Sequence, residues 1–129
     1  MINRRMILLA SMASMAQAAP GPGVNVKALL EQKIGDIQNP LVTMEVVEFG
    51  PGVSSSPHRH PGPVFGYVLE GELLTQVEGG APATYKKGEV FFEPAGHVHV
   101  MAKNSSASTP VRFLAVIVGK QGSPSVLPK

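Results

Sequence analysis

The sequence of 129 residues predicts an all-β sandwich or barrel, and three observations support this fold class. Short apolar runs alternate with turns that draw on 14 glycines and 12 prolines. These runs have the length of strands, and no convincing helix can be identified outside the N-terminal stretch. The last apolar run, Val111 to Val118, predicts a long strand that is buried on both faces.

The elements follow one another along the chain with turn residues between them. The segment from Val26 to Ile34 predicts either a short helical turn or an edge strand, and its pattern does not decide between them. Strands are then expected at Leu41 to Phe49, Val64 to Leu69, Leu73 to Val77, Glu89 to Glu93, Val98 to Ala102 and Val111 to Val118. The residues expected in the core are Met44, Phe91, Met101 and Phe113.

The first 18 residues predict a signal peptide. Arg4 and Arg5 precede a short apolar stretch, and Ala16 and Ala18 form an A-x-A cleavage site. The two arginines also give a loose match to a twin-arginine signal, but the short leader favours the Sec route, and a first helix of the domain is the alternative. We expect a periplasmic or secreted protein without a stable membrane anchor after cleavage. The predicted organisation is a linker at 19–25, one domain at 26–120 and a flexible tail at 121–129.

Charge and cysteine content exclude several classes of function. Cleavage would remove two of the eleven Lys and Arg residues, which leaves nine against nine Asp and Glu. A mature domain so close to neutrality predicts no nucleic-acid partner. The chain has no cysteine, which excludes disulfides, thiolate catalysis and thiolate metal ligation.

All four histidines lie in two short clusters beside predicted strands. His58 and His60 form the first cluster, and His97 and His99 form the second. Residues i and i+2 of a strand point to the same face, so His58 and His60 can direct two imidazoles at one point while Arg59 points away. One further ligand would complete a metal site.

The segments that carry these clusters resemble the two motifs of the cupin superfamily. The stretch "GVSSSPHRHPGPVFGYVLEG", residues 52–71, follows the first motif, G-x5-H-x-H-x3-E-x6-G, at every spacing. The stretch "GEVFFEPAGHVH", residues 88–99, follows the second, G-x5-P-x-G-x2-H, and Asn104 lies one residue later than that motif's final Asn. The likeness implies a single-domain cupin-type jelly-roll β-barrel, similar to small bacterial members of the superfamily.

The resemblance also implies a metal site with one departure. His58, His60 and His99 correspond to metal ligands that face the barrel interior, but Val64 stands where the motif has its glutamate. The ligand set is then three neutral imidazoles, or three with a fourth ligand from elsewhere. We expect a divalent transition metal, Fe, Mn, Zn, Ni or Cu, and the sequence does not choose among them. Without the carboxylate the ion would be a stronger Lewis acid but more weakly bound, so an empty barrel is the alternative.

Four other residues are weaker candidates for the site. Glu93 could act as acid or base, or as the missing carboxylate, and Tyr67 could transfer protons. In a regular strand His97 would point to the same face as His99, so it would be a further ligand only if the turn before it does not break that alternation. Gln76 could hydrogen-bond a metal-bound group. For each of them a place on the surface, at a strand end or in ordinary packing is the alternative.

Three hypotheses for function follow. The first is a metal-dependent, dioxygenase-like oxidoreductase that transforms a small organic substrate chelating through two oxygens. The second is a non-catalytic module that binds a metal or a small molecule. The third is a structural role with a vestigial site. The resemblance also implies a homodimer by analogy.

Overall fold

The computed structural model describes residues 22, 23, 25 and 27–129. The predicted signal peptide at 1–18 and most of the predicted linker lie outside the described residues. All the strands belong to one compact unit, Asp36–Lys129. Before it, residues 27–35 form neither of the elements considered for that segment, a helical turn or an edge strand. No helix within the described residues has the length and apolar character needed to cross a membrane.

The described residues form nine strands. They are β1 Pro40–Phe49, β2 His58–Arg59, β3 Val64–Glu70, β4 Glu72–Val77, β5 Ala83–Lys86, β6 Val90–Glu93, β7 Val98–Lys103, β8 Val111–Lys120 and β9 Leu127–Pro128. The six predicted strands correspond to β1, β3, β4, β6, β7 and β8. The all-β prediction is therefore confirmed, and β2, β5 and β9 were not predicted as strands.

The strands pair into two antiparallel sheets. One sheet has the order β1-β8-β3-β6, and the other has the order β5-β4-β7-β2-β9. Strands β3 and β4 are consecutive in sequence but belong to different sheets. The chain passes between them through Gly71, whose φ of 75° is readily adopted only by glycine.

The core lies between the sheets and follows the alternation of the strands. Val64 and Val68 of β3 face it from one sheet, and Leu73 and Ala102 face it from the other. The predicted core residues Phe91 and Phe113 are buried, which confirms them. Met101 is only half-buried.

Two burial predictions need correction. Met44 is 64% exposed, because β1 is an edge strand and this residue lies on its outer face. Strand β8 is buried on one face, at Val111, Phe113, Ala115 and Ile117, while most residues on its other face are half-buried. β8 is central in its sheet, but only one side of that sheet faces the core.

Asn104 connects the ends of three strands. Its side-chain amide donates hydrogen bonds to the carbonyls of Phe49, Gly50 and Thr109, at 3.2, 3.0 and 2.8 Å. Its Oδ1 accepts a bond from the backbone N–H of Ser106 at 3.0 Å, and the residue is fully buried. The asparagine that the sequence places one residue late thus fixes the end of β1, the end of β7 and the approach to β8.

The C-terminal residues return to the barrel. In β9, Leu127 pairs with Arg59 and Pro128 pairs with His58, so the segment extends the second sheet beside the histidine-bearing strand β2. This arrangement differs from the flexible tail expected at 121–129. The prediction considered only local composition, whereas the pairing partner lies about half a chain length away.

Candidate metal centre

The three histidines of the two motifs meet on neighbouring strands. His58 in β2 and His99 in β7 are directly opposite in an antiparallel pair, so their side chains share one face of the sheet. Their ring centroids are 5.4 Å apart, and those of His58 and His60 are 5.1 Å apart. His60 follows β2, and its carbonyl accepts a bond from the N–H of Gly96 at 2.7 Å, which ties the two motifs together.

Backbone carbonyls set the tautomers of the first two histidines. Nδ1 of His58 lies 2.7 Å from the carbonyl oxygen of Ser56, and Nδ1 of His60 lies 2.7 Å from that of Ser125. Because a carbonyl only accepts, each Nδ1 carries the hydrogen and donates. In a neutral ring the lone pair is then on Nε2, the atom available to a metal ion.

Glu93 reaches the cluster from the opposite sheet. Its Oε1 lies 3.0 Å from Nδ1 of His99, and its Oε2 lies 3.9 Å from Nε2 of His60. Glu93 is only 8% exposed and His99 only 5%. Within the described residues, these two imidazoles are the ion-pair partners of this buried carboxylate. In the β3–β6 ladder Glu93 is directly opposite Val64, the residue at the motif's glutamate position.

The donor atoms fit a divalent transition-metal ion. Nε2 of His99 is buried and has no hydrogen-bond partner among the described residues, a loss of about 1–3 kcal/mol that an ion would offset. Three imidazole lone pairs beside a buried negative charge are a donor set of the required type. As the side chains stand, however, no group of three or more His, Asp or Glu in the described part of the chain is arranged to hold an ion. Binding would therefore require the side chains to shift from these positions.

The other predicted site residues lie away from this cluster. Tyr67 is half-buried on the face of β3 opposite to Val64 and Val68, which does not agree with proton transfer at the histidines. Gln76 is on the face of β4 opposite to the core, and its Nε2 donates to the carbonyl of Gly80 at 3.0 Å, so it holds a turn instead. His97 is exposed in the turn before β7.

Sequence reasoning missed the two carbonyls that orient His58 and His60. That of Ser56 could have been inferred from its position two residues before His58. That of Ser125 is 65 residues from its partner, and nothing in the local pattern of the tail indicates the contact.

Comparison with known proteins supports the reading of the motifs. A germin-like protein (subfamily 2 member 4) from Arabidopsis thaliana is 35% identical over 81 residues, 59% of this chain and 37% of that protein. A DMSP lyase, DddQ, from Ruegeria pomeroyi is 28% identical, with a TM-score of 0.58 over 67% of this chain and 42% of that one. A salicylate 1,2-dioxygenase from Pseudaminobacter salicylatoxidans is 25% identical, with a TM-score of 0.53 over 58% of this chain and 21% of that one.

The chain thus spans less than half the length of each of these proteins. The cupin domain family matches residues 45–117, which is more than half of the chain and includes both histidine motifs. The two sheets and the antiparallel order of their strands agree with that match. This chain belongs to the cupin domain family.

Proposed function

We propose that the protein binds one divalent transition-metal ion through His58, His60 and His99 and oxidises a small substrate that chelates through two oxygens. The single observation that supports this most is the state of the three rings. Each Nδ1 faces an oxygen atom and each Nε2 is left as the donor. The ion, Fe, Mn, Zn, Ni or Cu, would supply Lewis acidity and open coordination positions.

The chain's own residues orient the ligands and limit the access of water. The Ser56 and Ser125 carbonyls hold two rings in one tautomer, which reduces the reorganisation needed on binding. His99 is buried, whereas His58 and His60 are half-buried, so a substrate can approach from their side. A substrate with two adjacent oxygens, such as an enol, a diketone or a catechol-like compound, would match open positions on one ion.

The dioxygenase-like reaction is supported by the similarity to a salicylate 1,2-dioxygenase, whose named substrate carries a carboxylate beside a hydroxyl. The second candidate function is a non-catalytic binding module. Two observations favour it: Tyr67 is on the face of β3 opposite to the core, and the Glu93 carboxylate is held by a hydrogen bond from His99, so neither is placed to exchange protons with a substrate independently. The similarity to a DMSP lyase also keeps non-oxidative chemistry open as a reaction class. Export to the periplasm and a homodimer stay predictions.

An oxygen electrode distinguishes the two candidates. The protein without its first 18 residues and without a His-tag is loaded in turn with Fe²⁺, Mn²⁺, Ni²⁺, Cu²⁺ and Zn²⁺, then offered catechols, salicylate and 1,3-diketones. We expect one redox-active metal to support oxygen uptake with at least one chelating substrate. The His99→Ala variant should abolish that uptake, because it removes a ligand. Metal-loaded protein that consumes no oxygen across the panel would instead support the binding module.

A further inference from the structure

We propose that Glu93 supplies the negative charge that the metal centre lost with Val64, and that it does so through His99 rather than as a ligand. This inference rests on the proposed metal site. In the β3–β6 ladder the two residues are directly opposite, so their side chains share the face of the sheet from which Glu93 contacts the histidines. The first motif places the carboxylate on β3, and this chain carries one on β6 instead.

The contact geometry assigns the role. Oε1 of Glu93 lies 3.0 Å from Nδ1 of His99, which donates the hydrogen bond. A carboxylate in this place fixes the ring's tautomer and makes Nε2 a stronger electron-pair donor to a metal ion. His58 and His60 have neutral carbonyls in the equivalent place, so His99 is the one motif histidine with a charged acceptor. Glu93 is therefore a positioning residue that acts through His99.

Burial couples this carboxylate to the ion. Glu93 is 8% exposed, and among the described residues its ion-pair partners are two imidazoles, with no lysine or arginine. A buried carboxylate with no lysine or arginine beside it is unfavourable in the metal-free protein. A cation bound at Nε2 of His99 would compensate the charge. Removing the charge of Glu93 should therefore weaken metal binding. It should leave the metal-free fold as stable as before, or more stable.

The test is a Co²⁺ titration of the metal-free protein, with a competing chelator and visible absorbance as the readouts. Glu93→Gln keeps an oxygen acceptor for His99 but removes the charge, and Glu93→Asp keeps the charge on a shorter side chain. Glu78→Gln, at an exposed carboxylate, is the matched control. We expect Glu93→Gln to lower the affinity by about 10- to 100-fold. Glu93→Asp should fall between it and the wild type, and the control should match the wild type.

Two readouts separate this role from others. The urea midpoint of metal-free Glu93→Gln should equal or exceed that of the wild type, and its Co²⁺ spectrum at saturation should keep the wild-type band positions. A lower midpoint would indicate a structural role, and shifted bands would indicate that Glu93 itself ligates. Either result would overturn the proposal, as would unchanged affinity in Glu93→Gln. Wild-type protein that binds no Co²⁺ would instead refute the metal site in the proposed function, and this inference with it.

Discussion

Asn104 shows how one buried polar side chain can hold a barrel together. Its amide and carbonyl groups satisfy three backbone carbonyls and one backbone N–H around the ends of β1, β7 and β8. Replacement by alanine would leave several of these groups buried without partners. At about 1–3 kcal/mol for an unsatisfied buried group, the effect of this one residue is large compared with the stability of a small domain.

We therefore expect Asn104→Ala to lower the free energy of unfolding by about 2–3 kcal/mol. Urea denaturation of the metal-free protein measures this loss. Ser105→Ala, at the exposed neighbouring residue, is the control and should change stability by less than about 0.5 kcal/mol. If Asn104→Ala also lowers the free energy of unfolding by less than about 0.5 kcal/mol, the hydrogen bonds around Asn104 add little to stability.

At the same scale, the sequence indicated most of the candidate site but not its contacts. The spacing of the motifs identified His58, His60 and His99, because strand alternation and sheet pairing depend on sequence position alone. Glu93 was a candidate with two different roles, and the contact with His99 could not be read from the pattern. That contact depends on how β6 packs against the second sheet, and local sequence does not determine this packing.

The elements differ in how much the local sequence determines them. Strands such as β3 and β8 carry enough apolar alternation to be predicted from the sequence. Strands β2 and β9 have two residues each, too few to show a periodic pattern, and the start of β5 overlaps a Gly- and Pro-rich segment that is typical of a turn. They form because a neighbouring strand, β7 for β2, β4 for β5 and β2 for β9, presents unpaired backbone groups, which is tertiary information.

The C-terminal strand has a consequence for the site. Because β9 pairs with β2 and the Ser125 carbonyl accepts from Nδ1 of His60, we expect deletion of residues 123–129 to free that ring. Metal affinity should fall by about 10- to 100-fold, as for the loss of a group that orients a ligand. The measurement is the same chelator competition with Co²⁺.

Ser125→Ala is the matched variant for this deletion. The bond to His60 comes from the backbone carbonyl, which alanine keeps, so this substitution should leave the affinity unchanged. A truncated protein that binds Co²⁺ as tightly as the full chain would show that the tail does not position His60. A loss of affinity in Ser125→Ala would point to its hydroxyl instead.

Over the whole molecule, the barrel brings together groups that are far apart in the chain. His58 and His99 are 41 positions apart and become direct neighbours through the pairing of β2 with β7, while Glu93 reaches them from the other sheet. The site therefore exists only when both sheets are formed and packed. A metal ion bound there would connect the two motifs and stabilise the folded state by mass action.

The most direct test of the central claim is the metal content of tag-free protein lacking residues 1–18, after incubation with excess metal and gel filtration. We predict one transition-metal ion per chain, measured by plasma mass spectrometry. His58→Ala and His99→Ala should lose that ion, and His97→Ala, at an exposed histidine outside the cluster, should retain it. Wild-type protein without metal, or ligand variants that keep as much metal as His97→Ala, would contradict a metal site at His58, His60 and His99.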